Sequence, residues 1–202
     1  MSSVKSRREQ YSQATKAALL EAATRRFADQ GFAATALEDV AADIGASRGA
    51  VYHHFASKTA LFEAVAGELE SWMVRQVIEA TEAAGDDPWK AAMAATDQFL
   101  QCCCDPVYGR VVWQEAPLAL GWHRWKELEV VYAYGLIEQL VAGLIAAGQL
   151  PELPREPMTR ITFHILGAAG MALAEAAEED KERVKADYLT AIFHLFDGAR
   201  LT

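Results

Sequence analysis

Few residues in this 202-residue chain could do covalent or metal chemistry, and their spacing limits what they could do. Cys102, Cys103 and Cys104 are consecutive. On a helix they point about 100° apart, so they cannot converge on one metal ion. The five histidines, His53, His54, His123, His164 and His194, contain no pair four residues apart of the kind a helical zinc site uses. No local signature supports a Cys–His nucleophile pair. Glu178-Glu179-Asp180 reads as a solvated helix junction. No catalytic residue, metal ligand or cofactor is therefore expected. The remaining chemistry is electrostatic. Arg25, Arg26 and Lys58 flank a run, residues 37–55, whose short helices could offer their N-termini to phosphate.

The elements that position these groups read as helical throughout. Ala, Leu and Glu are abundant and no stretch alternates with period two. Ala18, Leu19, Ala22, Ala23 and Phe27 step by three and four residues and predict a helix over 12–30, ended by Gly31. Thr35 caps a second helix over 36–44, with Glu38 completing a capping box. Ser47 caps a third through residue 55, and Ser57 a fourth, long one over 58–84, before the Gly85–Pro88 break. Further helices are expected over 89–104, 107–119 (limited by Pro117), 122–147, 158–177 and 181–199. The result is an all-α chain of about nine helices.

Within residues 37–55, Val40 and Ile44 lie one turn apart, as do Val51 and Phe55, and small Ala41 lets two helices cross closely at Gly45. This is a helix-turn-helix pattern. Such a pattern places Ser47, Arg48, Gly49, Ala50, Tyr52 and His53 at the exposed start of the second helix, the part that enters a DNA major groove. Helix pairs with a glycine turn also occur in proteins that bind no DNA. Charge distribution favours the DNA reading: the chain carries −9 overall, but residues 1–60 hold eight basic and six acidic side chains, leaving −11 on the rest.

Phe27, Gly31, Phe32, Thr35, Val40, Ala41, Ile44, Gly45, Gly49, Val51, Tyr52, His54, Phe55, Lys58, Leu61 and Phe62 together resemble the DNA-binding domain of the TetR-type transcriptional regulators. The resemblance covers residues 12–62 and implies three things: an N-terminal three-helix DNA-binding domain over 1–57, with a basic arm over 1–11; a larger helical ligand-binding and dimerisation domain over 58–202; and a homodimer that leaves its double-stranded DNA operator when a small molecule binds. It assigns Thr35, Tyr52, His53 and Lys58 to phosphate or backbone contacts. It assigns base readout to Arg48, with Ser47 and Ala50 beside it, since Arg pairs bidentately with guanine and Ala can touch a thymine methyl. Arg48 near a helix start could instead touch phosphate alone. His54 and Phe55 read as packing residues.

The second part is less specific. Four of the five tryptophans fall within residues 89–125. Phe99, Cys103, Trp113, Trp122, Trp125, Tyr132, Phe163 and His164 are the candidate lining of an apolar pocket, or simply core. The run 118–125 resembles a pocket gate in some TetR-type proteins. Few cations accompany these residues, so an apolar or aromatic effector is expected. Gly167, Ala168, Met171 and Ala174 form a small face, and Leu189, Ile192, Phe193 and Phe196 a bulky stripe, which two copies could join into a four-helix dimer interface. The longest nearly uncharged run, residues 161–174, is too short to span a bilayer. The basic start lacks a secretory apolar region, and the cysteine usage fits a reducing cytoplasm.

Overall fold

Apolar residues at helical spacing become nine helices among residues 7–199, the part of the chain that this computed structural model describes. The first three are α1 (Arg7–Ala34), α2 (Leu37–Asp43) and α3 (Arg48–His54). Next come α4 (Lys58–Ala83) and α5 (Pro88–Cys104). Three short pieces, Pro106–Tyr108, Gly109–Glu115 and Ala116–Leu120, follow end to end as α6. The chain continues with α7 (Trp122–Ala146), α8 (Arg155–Glu175) and α9 (Lys181–Asp197).

Local signals explain most boundaries. The Ser47 hydroxyl accepts the Ala50 amide at 3.2 Å and the Ser57 hydroxyl that of Ala60 at 3.0 Å, so both caps form as expected. Asp87 caps α5 ahead of Pro88, and Asp105 accepts the amides of Val107 and Tyr108, each at 2.9 Å, to start α6. Pro117 stands in the first turn of its piece, where a proline is tolerated, so it does not stop α6.

Three expectations are corrected. α1 begins at Arg7 rather than near residue 12, so residues 7–11 of the expected arm are helical, while 1–6 lie outside the described residues. Gly31 does not end α1; it turns it, with φ at +79°, and one more turn follows. Thr35 does not cap α2. Ala36 holds that position without a side-chain bond, and the Thr35 side chain turns back into α1, where its buried hydroxyl donates to the Gly31 carbonyl at 2.8 Å.

α5 runs through the body with α4, α7, α8 and α9 packed around it. One hydrophobic core is continuous from Leu19, Phe27, Val40 and Val51, through Phe62 and Leu100, to Trp113, Leu173 and Ile192. α1 to α3 are thus seated on the body through Phe27, whose ring meets Phe62 edge-on at 4.9 Å. α7 is long and apolar enough to cross a membrane by length and composition, but it packs on α4, α5 and α8, and its Arg124 pairs with Glu63 of α4. Two stretches widen into π-helical turns, Gly109–Glu115 in α6 and Val130–Tyr134 in α7. Such turns often occur at functional positions.

Candidate DNA-binding surface and ligand cavity

The crossing of α1 and α2 is fixed by charge. Arg26 donates from Nε and Nη2 to the two carboxylate oxygens of Asp43 at 2.6 and 2.8 Å, and Asp39 stands 3.6 Å away. This two-pronged geometry holds Arg26 firmly charged and lowers the Asp43 pKa. Arg26 is therefore a brace for the helix pair and not the phosphate-facing cation that the sequence suggests. Arg25 is paired with Glu21 at 2.6 Å.

α3 presents Ser47, Arg48, Gly49, Tyr52 and His53 to solvent, with Ala50 half-buried. Arg48 lies over the Tyr52 ring at 5.4 Å and pairs with Glu38 of α2 at 3.0 Å. Its guanidinium is thus extended along the exposed surface by two neighbours. Val51 and Phe55 anchor the opposite side of α3 in the core. His54 is half-buried, and its pKa is lowered by burial, then by His53 and Lys16.

Two of the expected phosphate contacts are occupied internally. Thr35 is 1% exposed. The Lys58 ammonium donates to the carbonyls of Phe32, Thr35 and Ala33 at 2.8, 3.0 and 3.3 Å and sits 4.4 Å from the Phe32 ring. It caps the last turn of α1, where unpaired carbonyls accumulate and a cation is favoured.

That same turn is tied to the body. Glu115, in the wide turn of α6, accepts the Phe32 amide on one carboxylate oxygen at 2.8 Å and pairs with Arg110 on the other at 2.9 Å. Gly31 is required there twice over, because its φ is positive and a Cβ would come within 2.8 Å of Glu115.

The body holds a partly open cavity of ≈ 90 Å³ between α4, α5, α6, α7 and α8, with α9 along one side. Its wall is mostly apolar, as Met73, Val77, Leu136 and Leu166 illustrate. Phe99, Trp113 and Phe163, expected from sequence, line it. The other five do not. Trp125 is 0% exposed and buttresses Trp113 edge-on at 5.8 Å. Trp122 is 55% exposed on the surface. Cys103 is buried in the core, with its thiol pKa pushed up by burial. Tyr132 packs toward the backbone of Gly67, and His164 faces solvent. Amphipathic periodicity marks which residues are apolar, but it does not tell a cavity wall from the layer behind it.

The polar end of this cavity is not among the residues that the sequence pattern marks. Glu70 of α4 and Glu129 of α7 both line it and are 2% and 4% exposed. The Tyr108 hydroxyl donates to Glu70 at 3.3 Å. Lys126 donates to one oxygen of Glu129 at 2.7 Å, and the other oxygen is buried with no partner. The indole N–H of Trp113 is likewise buried and unpartnered. Burial, reinforced by Glu129 and opposed by Tyr108, raises the Glu70 pKa to about 8. Burial also raises that of Glu129, against the pull of Lys126. A signal for Glu70 was present: it interrupts the apolar stripe of Ala66, Met73 and Val77 on α4.

The expected dimer face is also redistributed. Ala174 and Ile192 are buried inside the one chain, and Gly167 and Phe196 line the cavity. Ala168 and Phe193 are exposed, and Met171 and Leu189 are half-buried. The outer face of α8 and α9 instead carries Ile161, His164 and Ala168 with Ala191, His194 and Leu195. Among the described residues no group of three or more His, Cys, Asp or Glu is placed to hold a metal ion.

An exposed, braced recognition helix on a helical body defines a helix-turn-helix DNA-binding regulator. The family profile described as "Bacterial regulatory proteins, tetR family" matches residues 19–65, and that described as "Tetracyclin repressor-like, C-terminal domain" matches 89–199. The chain belongs to the TetR family of DNA-binding transcriptional regulators. It is similar in structure to a TetR-family transcriptional regulator from Pectobacterium atrosepticum, with TM-score 0.82 and 24% identity over 98% of this chain and 99% of that one. RolR, solved in complex with resorcinol, gives TM-score 0.67 and 16% identity over 91% and 89% of the two chains. In sequence, the chain is 22% identical to the transposon Tn10 TetC protein of Escherichia coli, over 72% of this chain and 73% of the relative. It is 41% identical to the HTH-type transcriptional regulator TtgR of Pseudomonas putida, over 31% of this chain and 30% of the relative.

Proposed function

We propose that this protein is a cytoplasmic homodimeric repressor that leaves its operator when a small apolar or aromatic molecule fills the cavity. Residues 1–57 serve as the DNA-binding domain and 58–202 as the sensing and dimerisation domain, with α4 shared between their cores. The observation that carries this reading is the Glu115–Phe32 hydrogen bond. It joins the turn under the DNA-binding helices to α6, two residues from Trp113 in the cavity wall. Ligand that moves Trp113 changes the support of α1, and so the spacing of two recognition helices. Only such differential affinity for the two arrangements can transmit the signal. The names of TtgR and the tetR family, and the resorcinol held by RolR, support the reading.

Arg48, Ser47 and Ala50 are the proposed base-reading set, with Gly49 allowing close approach and Tyr52 and His53 on the backbone. The dimer forms through the outer face of α8 and α9 named above. Two copies put half-sites roughly one helical turn, 34–36 Å, apart or a multiple of it, on a near-palindromic operator. The test is selection of a duplex from random DNA by the full-length protein, with sedimentation of the complex. Two chains per palindrome and clear preference over random duplex are expected. A monomer, or equal affinity for both DNAs, would contradict the reading.

A further inference from the structure

The charged side chains lining the cavity, among the described residues, are Glu70 and Glu129, with no Lys or Arg in its wall. Nothing about an apolar ligand requires two acids there, since burying a carboxyl without a partner is costly. One of the two is left open: Glu129 has a buried carboxylate oxygen without a hydrogen-bond donor, while Lys126 satisfies the other. Lys126 itself stands 4.3 Å from the Trp125 ring and 5.6 Å from the Phe163 ring, with its ion pair made to the other Glu129 oxygen. Tyr108 donates its single hydroxyl hydrogen to Glu70. The polar end of the cavity therefore has acceptor capacity that the protein does not fill.

We infer that the effector is an apolar molecule bearing one protonated amine, seated with its N–H toward Glu129 and Glu70 and its apolar body between Phe99, Trp113 and Phe163. This deepens the ligand-sensing reading and rests on it. An ammonium donates to the open oxygen with a charge-assisted bond, roughly twice as strong as a neutral one. An anionic ligand would meet two acids, and the one nearby cation, Lys126, is already paired with Glu129. The groups facing Glu70 are Glu129 from α7, Tyr108 from α6 and Cys103 from α5, and Lys126 acts through Glu129. Glu70 holds its proton near neutrality. An incoming cation favours its ionised form, so binding expels a proton and tightens as pH rises.

The probes are 3-phenylpropylamine, 3-phenylpropanol and 3-phenylpropanoate, alike in shape and different in charge. Their binding to the full-length protein is followed by tryptophan fluorescence and by calorimetry in two buffers. At about pH 8 the amine should bind at least about tenfold more tightly than the alcohol, and the carboxylate weakest. Amine affinity should rise between about pH 6 and 8 with proton release, and alcohol affinity should stay flat. Glu129→Gln should remove the amine's advantage. Glu70→Gln, which keeps the shape of the protonated acid, should reduce the proton release and flatten the pH dependence. Alcohol binding to each variant reports an intact cavity. Equal binding of amine and alcohol, an advantage that survives Glu129→Gln, or no binding of any probe would overturn the proposal. Each titration is repeated on the DNA complex. Selective amine binding that leaves DNA affinity unchanged would uphold the cation site and overturn the sensing reading, whereas equal release by amine and alcohol would overturn the cation site alone.

Discussion

Glu115 and Phe32 are 83 residues apart and joined at 2.8 Å, a buried carboxylate on the amide that follows the Gly31 turn. The same carboxylate takes Arg110, while the carbonyls of that turn take Lys58. The junction between α1–α3 and the cavity-bearing body is therefore an ionic clamp around one turn of backbone, set beside the Phe27–Phe32–Phe62 ring cluster.

Removing the clamp should loosen the junction before it unfolds the body. Glu115→Ala leaves the Phe32 amide without its acceptor and Arg110 with Gln114 alone, and should cost about 1–3 kcal/mol in urea unfolding. Gly31→Ala should be destabilising as well, through both its positive φ and the Glu115 contact. In Glu115→Ala, hydrogen exchange should speed up in α1 to α3 more than in α8. Uniform acceleration would count against a local clamp.

Lys58 should behave as a structural cation. Lys58→Met leaves up to three carbonyls without their donor and should lower stability by about 1–2 kcal/mol, or roughly 2–8 °C in Tm at this size. The salt slope of DNA binding should change less than it does in Arg48→Ala. A full unit lost from that slope would instead show Lys58 leaving the turn to neutralise a phosphate.

Arg48 and Glu38 should have opposite effects on DNA. Arg48→Ala should weaken the selected operator by roughly ten- to a hundredfold and random duplex by much less. Glu38→Gln removes the carboxylate that holds Arg48 at 3.0 Å. It should strengthen binding to both DNAs a few-fold at low salt, an effect that fades at high salt. Equal losses on both DNAs for Arg48→Ala would remove Arg48 from the base-reading set and leave it as a phosphate contact.

Stability should fall as pH rises through neutrality. Burial lifts the Glu70 pKa from 4.5 to about 8, so the folded chain keeps a proton that the unfolded chain releases. The contribution is complete below the unfolded value and is lost as pH climbs toward the folded one. Glu129, raised in the same direction, adds to the trend. Melting temperature should therefore decline from about pH 5 to pH 8, and Glu70→Gln should flatten that decline. A profile unchanged by Glu70→Gln would show that Glu70 is ionised in the folded chain.

The sequence by itself determined what short-range forces control. Ser47 and Ser57 cap α3 and α4 because each needs only an amide three residues away. The three- and four-residue steps of α1 and the Gly45 turn set the helix-turn-helix, and the exposed side of α3 follows from Val51 and Phe55 pointing inward. Thr35 does not cap α2 because its side chain is turned back into α1, onto the carbonyl of the Gly31 turn that Glu115 holds.

Only the tertiary structure decided which aromatic residues line the cavity, that Lys58 closes a turn rather than standing free, and that two glutamates lie inside. These outcomes depend on pairs far apart in the chain: Lys58 with Phe32, Glu70 with Tyr108 at a separation of 38 residues, and Trp113 with Gly170, where a Cβ would come within 2.5 Å of the indole. Helical periodicity reports which side of a helix avoids water. It carries no information about which other helix meets that side, and that meeting is what turns an ordinary glutamate into a buried, protonated one.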